Sequence, residues 1–158
     1  MNDRNHTGII FSADDYAAVD GARASETATP RITVGAPRTA ANADQPLCVQ
    51  FWQGAGEDMA VAAVVPLHQL LDACCLLGEG LMHLREAYRY PQGYDVENPQ
   101  LARVGVQGAA FTASVCTENG QIVDDLRAAE TATAELGERL GERIRRAQAV
   151  LNEVATYY

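Results

Sequence analysis

Six side chains between positions 68 and 86 carry most of the chemistry this sequence can offer. Stepped at about 100° per residue, His68, Asp72, Cys75, Glu79, His83 and Glu86 fall within an arc of roughly 80° on a single helix. All six are metal-ligand types. Groups at i, i+4 and i+7 line one face, so His68, Asp72 and Cys75, or Glu79, His83 and Glu86, would need only a second helix to complete a coordination shell. The plainer expectation is that an amphipathic helix gathers its polar residues on the solvated side. No Glu-x-x-His follows on a later helix, and the remaining histidine, His6, lies in a low-complexity stretch. The solvated face is therefore preferred and no cofactor is expected, with a metal-binding helical protein of sensing or redox role kept as the alternative.

Other chemistries find less support. A nucleophilic cysteine needs a depressed thiol pKa, yet Cys75 is flanked on its helical face by Asp72 and Glu79, which disfavour a thiolate. The four cysteines read as free thiols, with a bridge from Cys48 to one of the others as the alternative; Cys74 and Cys116 have the look of small apolar side chains, and no Cys-x-x-Cys is present. Gly54-Ala55-Gly56 lacks the Lys-Ser/Thr of a phosphate-binding loop, and neither Gly-x-Ser-x-Gly nor His-Glu-x-x-His occurs. No catalytic residue can be named, and the expectation leans away from an enzyme.

The stripe of potential ligands belongs to the clearest periodic segment, Leu67 to Tyr90. There Leu67, Leu70, Leu71, Cys74, Leu77, Leu81, Leu84 and Tyr88 repeat at three and four residues until Pro91-Gln92-Gly93 ends the pattern. Ahead of it, Leu47–Trp52 and Met59–Val65 are β-prone runs around a glycine-containing loop, the signature of a hairpin. Residues 1–46, with Pro30, Pro37 and Pro46, have linker-like composition and read as an extended or partly disordered N-terminal segment. Two apolar islands there, Gly8–Phe11 and Arg31–Val34, are candidates to dock on the main body, and Ser12 offers an N-cap for a short helix through Val19. Beyond Pro99, Leu101, Val104, Gly108, Phe111 and Val115 continue the helical spacing, Asn119-Gly120 marks a break, and the stripe from Ile122 to Val154 predicts a helix of roughly thirty residues. The expected fold is mainly α. It comprises a low-complexity N-terminal segment over 1–46 and a helical domain over 47–158, in which a β-hairpin precedes a long-helix hairpin or bundle.

Charge and composition narrow the function. The 158 residues carry a net charge of −9, which argues against binding nucleic acid directly, since that requires neutralising phosphates. No run reaches the length of a membrane span and Met1–Tyr16 lacks a basic-then-apolar leader, so a cytoplasmic protein with no membrane partner is expected. Every basic residue other than histidine is arginine, a habit of GC-rich bacterial or phage genomes. Residues 46–100 alone carry a net −5, a surface able to steer toward a basic protein. Gly137 and Gly141 each cost a helix interior about 1 kcal/mol relative to alanine, and close approach of another helix is the usual compensation. The resulting expectation is a non-catalytic acidic adaptor, chaperone or inhibitor that meets another protein with a basic or apolar surface and forms homo-oligomers, with a monomeric bundle and a structural subunit of a larger assembly as alternatives. Trp52, Glu79, Glu86, Gly137 and Gly141 are its candidate partner-binding residues.

Overall fold

The computed structural model describes residues 8–19, 29–36, 47–87, 100–106 and 108–158. Among them about 50% are helical and 30% are in strands, so the mainly α expectation gives way to a mixed α/β fold of a four-stranded antiparallel sheet, a separate hairpin and two helices. The chain divides into two compact units, Met1–Cys74 and Cys75–Tyr158.

The first unit is built on the sheet, in the order β1 (Ile9–Ala13), β2 (Arg31–Gly35), β3 (Cys48–Gln53), β4 (Ala60–Pro66). The two short islands of the N-terminal segment are β1 and β2, and β2 pairs with β3 along its whole length, from Arg31 opposite Trp52 to Gly35 opposite Cys48. Neither island is long enough to stand alone; pairing to a strand that already has a neighbour supplies the missing hydrogen bonds. The helix expected from Ser12 is a single 3₁₀ turn at Tyr16–Ala18, and Ser12 itself ends up in β1. β3 and β4 pair antiparallel around a second 3₁₀ turn, Gly56–Asp58. β4 is an edge strand, where a proline is tolerated, and Pro66 passes directly into helix α1 (Leu67–Ala87), whose first N–H donates to the Leu47 carbonyl at 3.1 Å.

The most deeply buried side chains of this sheet do not lie on its more apolar face. Alternation places Ser12, Arg31, Thr33, Gln50 and Trp52 on one face, and there Thr33, Cys48 and Trp52 are the most completely buried side chains described. The polar groups satisfy one another. Trp52 Nε1 donates to Thr33 Oγ1 at 3.0 Å, and Thr33 Oγ1 donates to Gln50 Oε1 at 2.8 Å. The Arg31 guanidinium lies over the Trp52 ring at 5.0 Å, and its Nε reaches Asp14 at 2.6 Å and the Ser12 hydroxyl at 3.1 Å.

The second unit holds the remainder of α1, the hairpin of β5 (Gln100–Val106) and β6 (Ala109–Ser114), and helix α2 (Ile122–Ala155). The helical arm expected from residue 100 is thereby corrected: its first part is the β5–β6 hairpin. Its real period is two, since Ala102, Val104 and Val106 face Ala113, Phe111 and Ala109 across the ladder, and Gly108 turns the chain with φ +83°. The expected break at Asn119-Gly120 is where α2 begins: Asn119 accepts from the Gln121 N–H at 2.9 Å and donates to the Asp125 carboxylate at 2.7 Å. Asp124 and Asp125 in the first turn suit the helix dipole. The kink of this arm lies further on, at Gly137, whose φ of +35° and ψ of −113° separate two helical stretches. Among the described residues no helix is long and apolar enough to cross a membrane. The expected end of α1 beyond Ala87, at Tyr88 to Gly93, lies outside the described residues.

Candidate functional site

Within the second unit, α1 and α2 flank an open groove of about 900 Å³. Helical periodicity makes it. On α1, Cys75, Gly78, Glu79, Met82 and Arg85 recur at three and four residues, with Leu81 and Leu84 beside them; on α2, Glu130, Thr133, Ala134, Gly137, Leu140, Gly141 and Ile144 do the same, and Val104 of β5 joins the lining. Most of the lining is apolar, and the charged groups in it are Glu79, Glu130 and Arg85.

Glycine shapes the groove twice. A Cβ built on Gly78 or on Gly137 would have no neighbour within 4 Å, so neither glycine serves close packing inside the chain. At Gly137 the positive φ is the requirement, and the kink it permits turns the axis of α2 in the middle of the groove wall. A Cβ on Gly141 would meet the Arg145 guanidinium at 3.3 Å.

The helix that forms this wall is unusual for a globular chain, because none of its 34 residues is buried. Leu136, Ile144, Val150, Leu151 and Val154 are between 41% and 57% exposed. An amphipathic helix draws most of its stability from burying its apolar face, and isolated pairs such as Glu142 with Arg146 at 2.5 Å add only about 0.3–0.5 kcal/mol. The apolar side chains of α2 are thus left largely in water.

Three of the five residues singled out for partner binding, Glu79, Gly137 and Gly141, meet in this groove. Trp52 does not: at 2% exposure its ring is taken up by Thr33 and Arg31 inside the sheet. The side chain of Glu86 lies outside the described residues. Of the potential ligands, Cys75 and Glu79 line the groove, His68 is exposed on the first turn of α1, Asp72 and His83 are half-buried, and among the described residues no three His, Cys, Asp or Glu groups come together to hold a metal ion. Sequence reasoning did not single out Gly78, Met82 or Glu130, although their spacing of three and four residues from Cys75, Glu79, Thr133 and Ala134 puts them on the same helix faces.

A family model described as a family of unknown function, DUF6530, matches residues 1–157. No curated protein and no solved structure matches the chain.

Proposed function

The chain belongs to the DUF6530 family, and from that premise, which brings no activity with it, we propose that it is a non-catalytic protein-interaction protein, an adaptor, chaperone or inhibitor, that receives an amphipathic helix in the groove between α1 and α2. The single observation that carries this reading is an apolar groove whose longer wall is a helix without one buried residue. Leu81, Met82, Leu140 and Ile144 offer an apolar bed, and methionine adapts readily to different partners. Glu79 and Glu130 favour a basic flank on the incoming helix, in line with the net charge of −9. Exposed thiols at Cys74, Cys75 and Cys116 fit a reducing compartment, in line with a cytoplasmic placement.

Fluorescence anisotropy of a labelled amphipathic peptide, leucine on one face and arginine on the other, tests the reading directly. The peptide is expected to bind the full chain, and Leu140→Asp or the pair Glu79→Arg and Glu130→Arg to weaken it about tenfold or more, each change worth at least about 1.4 kcal/mol. A peptide of the same pattern with glutamate in place of arginine should bind poorly. Indifference to all three changes would overturn the proposal.

A further inference from the structure

We infer that the helix this groove receives is the C-terminal end of α2 from a second copy of the chain, the two copies exchanging ends. The inference rests on the reading of the groove as an interaction site and names its occupant. The groove lining ends at Ile144, yet α2 continues to Ala155, and every residue from Ile144 to Tyr158 is exposed. Among the described residues, then, nothing fills the groove and nothing covers the overhanging amphipathic helix.

Length, polarity and charge match the two. Residues 145–155 make about 16 Å of helix at about 1.5 Å per residue, and the stretch of α2 that walls the groove, Glu130 to Ile144, is about 22 Å long on the same measure. Ala147, Val150, Leu151 and Val154 fall within an arc of about 100° and present one apolar face, of which Val150 is 57% exposed. Arg145 and Arg146 open the overhang, opposite in sign to Glu79 and Glu130, which outnumber Arg85 in the groove; Arg146 would share itself between its own Glu142 and the groove of the other copy. Tyr157 and Tyr158, almost wholly exposed, follow it with the residue type most favoured at interfaces. Because each copy has one groove and one overhang, reciprocal exchange about a twofold axis satisfies both and closes the assembly at two.

Sedimentation velocity of the full chain across micromolar concentrations provides the test. The wild type is expected to be a dimer. The overhang variant Val150→Asp with Leu151→Asp, and the groove variant Gly78→Leu, should each be monomeric with unchanged far-UV ellipticity, since the altered residues are exposed in one case and a Cβ meets nothing within 4 Å in the other. An equimolar mixture of the two should form mixed dimers, one intact groove facing one intact overhang. A monomeric wild type, a Gly78→Leu protein that still dimerises, or a mixture that stays monomeric would overturn the exchange. Binding of the arginine-bearing peptide to the overhang variant, whose groove is unaltered, separates the two failures: if it binds while the wild type is monomeric, the groove reading stands and only the second copy falls.

Discussion

Thr33 is the joint of the buried polar row, because one hydroxyl both accepts from Trp52 Nε1 and donates to Gln50 Oε1. Thr33→Val keeps the shape and removes both bonds, leaving two polar groups in a buried setting, at a cost of about 1–3 kcal/mol for each group stranded. Thr33→Ser retains the hydroxyl and should lie close to the wild type. Urea unfolding followed through the midpoint checks the pair, and equal midpoints for Val and Ser would show that the row adds nothing to stability. This row also marks where reading side chains from sequence fails. Val49 and Phe51 make the uniformly apolar face of β3 and invite burial, yet Trp52, the most buried large side chain, lies on the face that also carries Gln50. Hydropathy ranks Thr33 and Gln50 as solvent-facing because it cannot know that register sets them opposite each other.

The helices and strands were legible in proportion to how far their period exceeded their neighbours' ambiguity. α1 and α2 each sustain three-and-four spacing over many turns, and both begin where the sequence places them, after Pro66 and after Asn119-Gly120. β5 and β6 are six or seven residues long, and over so short a span Leu101, Val104, Phe111 and Val115 satisfy a helical template while Ala102, Val104 and Val106 satisfy a strand. Gly108 between two alternating runs was the signal that decides in favour of the hairpin. Three candidate groove residues were legible on other grounds, Gly137 and Gly141 because glycine is costly inside a helix and Glu79 because it sits on the polar, acidic stripe of α1. The kink was not, because a glycine within a helical pattern does not announce its φ. Gly137→Ala makes that kink testable. An L-residue at φ +35° is strained, and alanine in a straight helix is favoured by about 1 kcal/mol over glycine, so both effects push α2 toward straightness. Far-UV ellipticity should deepen and affinity for the arginine-bearing peptide should fall; a variant that binds as before would mean the bend is not what shapes the groove.

Taken entire, the chain is two compact units of different make. Met1–Cys74 has a sheet with a buried, hydrogen-bonded interior, whereas no residue of the main helix of Cys75–Tyr158 is fully buried. The net charge of −9 sets both against indiscriminate self-association, so any pairing depends on local matching such as Arg145 and Arg146 against Glu79 and Glu130. Composition made the acidity legible from the outset. The division into units was not, because α1 runs across it and periodicity cannot show which side of a helix belongs to which core.

Trp52 is the chain's single tryptophan, and its indole is enclosed in the first unit under a guanidinium. Selectively excited emission is therefore an optical reporter of that unit alone, while more than half of the helical residues that dominate the circular dichroism belong to α2 in the other. Heating the protein under both probes should give two transitions that do not superimpose, with ellipticity lost first and the tryptophan spectrum shifting to the red only later. Superimposed curves would instead make the two units one cooperative body, and a single melting temperature would then describe the whole chain.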